Sequence, residues 1–215
     1  TVVIAGSTGA VSLGTGTITA TGAANRAVEI TGGTGEIGIA AALAGTNMLL
    51  INDHETGNIT FGGDMTSTVS GISITNSNSG LIRFTGPSLA LGGTGAGVFL
   101  DGNAGGTVDF NLSAGGKGLD IATTGTGFTA TNGGTVIVRG VGNSISTTGT
   151  GTALNLQGVT IGANGFTFGS VSANGAATGI ALNGVGTTGA AIALGTVNLQ
   201  GITSRGIDIT GNNPV

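Results

Sequence analysis

Along most of the chain, two apolar residues flank a polar or small one, and a Gly or other small residue stands just before them. The pattern is clearest in Arg26-Ala27-Val28-Glu29-Ile30-Thr31, which runs into Gly32. It returns as Arg205-Gly206-Ile207-Asp208-Ile209-Thr210-Gly211. Between these lie Gly71-Ile72-Ser73-Ile74, Gly97-Val98-Phe99-Leu100, Gly118-Leu119-Asp120-Ile121, Ala153-Leu154-Asn155-Leu156 and Gly179-Ile180-Ala181-Leu182, with a weaker member through Leu50. Successive strand residues point to opposite faces, so each triplet predicts a short β-strand with two side chains inward and one outward.

The first apolar residues of these triplets are Val28, Leu50, Ile72, Val98, Leu119, Leu154, Ile180 and Ile207, at spacings of 22, 22, 26, 21, 35, 26 and 27. A second ladder follows the first: Ile59 with Phe61, Ile82 with Phe84, Val108 with Phe110, Val136 with Val138, Phe166 with Phe168, and Ile192 with Leu194. A third, less regular set contains Leu89 with Leu91, Leu112, Ile145, Val171, and Val197 with Leu199. Self-similarity at a period in the twenties marks a solenoid. The expected fold is all-β: a right-handed, three-sided parallel β-helix of about eight coils of 21–27 residues, with one longer coil between 119 and 154. The whole of 1–215 reads as one β-solenoid domain or segment, such as a piece of a longer repetitive protein.

Other folds fit less well. A propeller repeats about every 40 residues or more. A sandwich would not give parallel ladders of one period. Thr, Gly and Val are poor helix formers, and no 3.6-residue period is sustained.

Composition narrows the picture. The 215 residues include 47 Gly, two Pro and 14 charged residues, with no Cys, Trp or Tyr. Disordered chains are poor in apolar residues, and collagen needs a strict Gly period with abundant Pro, so both are excluded. A net charge of -4 with five Lys plus Arg supplies no basic patch, which argues against nucleic acid as a partner. The apolar stretch 37–51 is interrupted by Gly45, Thr46 and Asn47, so no membrane span is expected. Without Cys there is neither a disulfide framework nor thiolate chemistry.

Gly-rich, Thr-rich coils with this Gly-apolar-x-apolar strand start resemble the β-helical repeat regions of large bacterial surface proteins. These are the autotransporter passengers and filamentous-haemagglutinin-like adhesins. The resemblance runs from about Thr17 to Thr210. It implies an elongated, secreted, cell-surface protein with an adhesive or structural role. It brings no catalytic residues with it.

A β-helical hydrolase or lyase would need clustered carboxylates, as a hydrolytic pair or as Asp groups around Ca²⁺ with a basic residue. The acids Glu29, Glu36, Glu55 and six Asp are scattered; Asp101 and Asp109 are near in sequence, without a basic residue beside them. Asp53-His54-Glu55, with Asp64 beyond, contains the one His, and reads as a solvated turn rather than a metal site. Gly115-Gly116-Lys117-Gly118-Leu119-Asp120 matches one copy of a Ca²⁺-binding nonapeptide start, but that site needs tandem copies, so a corner glycine run is expected. Arg26 with Glu29, Lys117 with Asp120, and Arg205 with Asp208 are expected as exposed ion pairs. No catalytic, cofactor-binding or metal residue is predicted, and no cofactor.

The leading expectation is a non-enzymatic extracellular structural or adhesive module: a stalk, adhesin segment or filament subunit. Thr1–Leu13 and Gly206–Val215 both read as more strand, so self-association or stacking on neighbouring repeat segments is expected, with surface glycans as further partners. The runner-up is a carbohydrate-binding or carbohydrate-degrading β-helix. A third option is an ice-binding solenoid, from Thr17-Ile18-Thr19-Ala20-Thr21 and Thr129-Ala130-Thr131, although the outward Thr file is broken by Asp101, Gln157 and Asn183.

Overall fold

The computed structural model describes residues 1–22, 24–78, 80–113 and 115–211. Every element among them is a β-strand or bridge, and every pairing is parallel and joins one coil to the next. The result is a β-solenoid of about eight turns, with a rise of about 4.8 Å per coil. Crossover connections between parallel strands are right-handed as a rule.

The coil has three sides. Face A carries Val2–Ala5, Arg26–Thr31, residues 47–52, residues 70–75, Val98–Asp101, Phe128–Thr131, Leu154–Gln157, Thr178–Asn183 and Arg205–Thr210. Face B follows each of these rungs, for example as Ile59–Phe61, Leu81–Phe84, Thr107–Asn111 and Thr135–Arg139. Face C closes the coil, as in Ser88–Gly93, Gly118–Thr123 and Ser144–Thr147. In two coils, faces C and A are continuous: Ala42–Asn52 and Met65–Thr75 are 11-residue strands that bend at the corner.

The period and the three sides agree with the sequence reading. Three assignments change. Leu50 is not the face A rung residue, because Leu49 pairs with Val28 and with Ile72, while Leu50 lies opposite Glu29 and Ser73 on the outer side. Leu119 belongs to face C, paired with Leu89; the face A rung in that coil is Phe128, between Val98 and Leu154. The interval of 35 therefore dissolves. The longer coil runs from Val98 to Phe128, and its extra length falls between the strands Thr107–Asn111 and Gly118–Thr123. Leu112 sits there, buried, outside the ladder. In the second ladder Phe166 pairs with Val138 and Ile161 with Val136, so 162–165 bulge out over Ile137 and Phe168 lies past the triplet.

Two corner rules explain why these residues fold this way. The residue after each face A rung has a left-handed φ: Gly6, Gly32, Asp53, Asn76, Gly102, Asn132, Gly158, Gly184 and Gly211 all lie between 53° and 68°. Gly takes this conformation freely, and Asn and Asp tolerate it better than other residues. Its N–H donates to the carbonyl one residue earlier in the next coil, as Gly32 does to Asn52 and Asn132 to Gln157. At the opposite corner, before the triplet, two glycines leave no room for a Cβ. At Gly71 it would overlap the Gly97 carbonyl, and at Gly127 the Ala153 carbonyl.

The interior is apolar and closely packed. Phe61, Phe84 and Phe110 stack in consecutive coils with ring centroids 5.1 and 4.8 Å apart and planes within 9°. Phe128 then meets Phe110 and Phe166 edge-on. In-register stacking turns one ring per coil into a continuous column. Such ring contacts add about 0.5–1.5 kcal/mol each beyond burial.

Candidate functional site

Buried polar side chains are concentrated at the corners, where the strand ladders break. Asn103 Nδ2 donates to the Ile74 carbonyl while its Oδ1 accepts from the Ser77 N–H. Asn143 works alike, accepting from Leu119 N–H and donating to the Thr167 carbonyl. Thr123 Oγ1 accepts from Gly125 N–H and lies 2.9 Å from the Gly93 carbonyl. A backbone group buried without a partner costs about 1–3 kcal/mol, so each such side chain staples two coils.

His54 is one of these staples: the turn around it is exposed at Asp53 and Glu55, as expected, but its own ring points inward. It is 1% exposed, with Nδ1 3.2 Å from the Gly32 carbonyl and Nε2 3.0 Å from the Gly57 carbonyl. Burial of the ring was missed because Asp53 and Glu55 on either side made the segment look solvated. Among the described residues no group of three or more His, Cys, Asp or Glu side chains converges as a metal site would require. Gly115 and Gly116 sit in the corner insertion and Gly118 opens the face C strand, with Gly115 and Gly118 at φ 87° and 78°.

Asp101 and Asp109 are both engaged, with different partners. Asp101 accepts from Thr131 Oγ1 at 2.5 Å and from Asn132 Nδ2 at 2.7 Å. Asp109, outward on face B but only 1% exposed, takes Arg83 Nε at 3.1 Å and Arg139 Nη2 at 2.7 Å. Arg139 Nε reaches its other oxygen at 3.2 Å. Two of the chain's five cationic residues thus meet at one carboxylate, drawn from three successive coils. Sequence spacing hid this cluster, since Arg83 lies 26 and Arg139 30 residues from Asp109, about one coil each way.

Of the three expected exposed ion pairs, only Arg205 with Asp208 forms, at 2.6 Å. Asp120 instead accepts from Ser144 Oγ at 2.5 Å. Arg26 makes no ion pair among the described residues and lines a groove of about 250 Å³ on the outer surface, with Asn47, Ser70, Ser73 and Phe99. Phe99 is the exception among seven Phe: the other six are buried in the interior, and it faces outward.

No family model matches the chain, and no curated protein or solved structure matches it. Its chemistry must therefore be read from its own surfaces. Two stand out. One is the groove above. The other is the last coil, where Ile207 and Ile209 are 51% and 61% exposed although they are in register with the buried Ile180 and Leu182. Val197, in register with Val171, is 40% exposed in the same coil. No helix is long and apolar enough to cross a membrane.

The Thr file on face A is mixed by register. Thr31, Asn52, Thr75, Asp101, Thr131, Gln157, Asn183 and Thr210 stand one above another. Hydrogen bonds within the file, such as Thr75 Oγ1 to Asn52 Oδ1 at 2.8 Å, take up part of its polar capacity.

Proposed function

We propose that this chain is a non-enzymatic structural module of a bacterial cell surface, a stalk, adhesin segment or filament subunit that associates through its coil ends. The observation that carries the reading is the solenoid itself: the same parallel ladders join coil to coil along the described residues, so coil-on-coil pairing is the contact that the fold repeats. A strand edge with unpaired N–H and C=O groups above an apolar patch is a template for another strand. The occupant would be a second copy or a neighbouring repeat segment, continuing the ladders at the same spacing. Extracellular placement is supported by the style of the repeat, whose extended rod suits a stalk.

Negative-stain electron microscopy and analytical ultracentrifugation over a concentration series test the proposal. The expected result is rods that lengthen in multiples of about 40 Å, the length of eight coils at 4.8 Å spacing. Ile207→Asp with Ile209→Asp should abolish the lengthening. Short monomers at every concentration, or elongation unchanged in the double variant, would overturn it.

A further inference from the structure

The outer groove has features that the structural reading does not use. It lies between two outward files at the bend from face C to face A. One file runs Arg26, Asn47, Ser70 in register; the other passes through Ser73 and Phe99. Gly71 and Ala96, small residues, form the low part between them. From Arg26 to Phe99 is three coil steps, about 14 Å at 4.8 Å per step, so the groove runs along the solenoid axis and across the strands.

We propose that this groove binds an acidic oligosaccharide, with a uronate carboxylate on Arg26 and a sugar ring against Phe99. The chemistry of each end points to this ligand. A guanidinium offers a planar pair of donors that matches a carboxylate, and that of Arg26 is unengaged by any acid. The groove lining holds that cation and no carboxylate, in a chain whose net charge is -4. An outward Phe ring presents an apolar face for the C–H side of a pyranose. Ser70 and Ser73 between the two ends supply hydroxyls that donate and accept, matching the alternating character of sugar hydroxyls. Glu29 lies in the same outward file as Ser73 and Phe99, two rungs from Ser73, and is not part of the lining.

The site is on the flank of the second to fifth coils, away from the last coil, so it does not depend on end-to-end association. Calorimetric titration of the 215-residue protein with an oligogalacturonate, its methyl ester and a neutral maltooligosaccharide decides the matter. The expected result is saturable binding of the uronate, weakened about tenfold or more by Arg26→Gln and by esterification, the two losses not adding. Phe99→Ala should weaken the uronate to a similar degree, while Phe99→Tyr keeps it and Arg205→Gln leaves it unchanged. A circular-dichroism melt of each variant verifies that the coil is intact. Absence of saturation, equal binding of the neutral sugar, or binding unaltered by Arg26→Gln would each overturn the assignment.

Discussion

The central coils and the last coil share one local pattern and have opposite environments. Ile180 and Leu182 are 0% and 7% exposed, whereas Ile207 and Ile209, one rung on, are 51% and 61% exposed. Nothing in the triplets Ile180-Ala181-Leu182 and Ile207-Asp208-Ile209 accounts for the difference. The neighbour does. In a solenoid each coil contacts only the coils beside it, so the energy of a rung belongs to the pair of rungs. The same residue type is therefore core in one place and exposed in another.

Substitutions separate the two regions. Phe110 stands in the middle of the ring column, and Phe110→Ala should destabilise the protein by about 3–5 kcal/mol through lost packing and a cavity. Chemical denaturation measures it directly. Ile180→Ala should cost about 2–4 kcal/mol by the same route, while Ile207→Ala costs less than about 1 kcal/mol. Equal losses at both sites would mean that the last coil is as well covered as the centre.

Asp109→Ala comes next. It leaves Arg83 and Arg139 facing each other without the carboxylate, and both are partly exposed, at 39% and 30%. Solvent screening limits the cost to about 1–3 kcal/mol, and the loss should shrink in the double variant with Arg139→Ala.

Asn76, at φ 53°, tests the corner rule at smaller scale: Asn76→Ala should cost about 1 kcal/mol and Asn76→Gly almost nothing. Finally, amides of Arg205–Thr210 should exchange with solvent well before those of Val98–Asp101, since only one side of that rung is covered. Exchange at equal rates would remove the distinction between the regions.

Much of the fold was legible because most of face B alternates, as in Ile59-Thr60-Phe61 and Ile82-Arg83-Phe84, and its partners fall in those registers. The failures have a common cause. Gly118-Leu119-Asp120-Ile121 on face C reads like Gly71-Ile72-Ser73-Ile74 on face A. Both need a small corner residue and two inward apolar groups, so only the neighbouring coils distinguish them. In Met48-Leu49-Leu50-Ile51 consecutive apolar residues erase the alternation, and pairing of Leu49 with Val28 chose the parity. The left-handed file was partly visible as a Gly, Asn or Asp two residues past each face A triplet. Of the candidate sites, Phe99 could be picked out as the outward member of its triplet. The meeting of Arg83, Asp109 and Arg139 could not, because residues a coil apart become neighbours only once the register is set.

By itself the sequence determined the period, the alternation and the turn residues, hence a three-sided parallel solenoid. Those are local properties, set by side-chain parity and by backbone conformations that Gly, Asn and Asp accept. Tertiary structure alone decided which strand lies on which face, which Leu turns inward, that His54 is a staple, and that Arg26 faces a groove. These depend on contacts between residues more than 20 positions apart, where stacking energy rather than local preference selects the register.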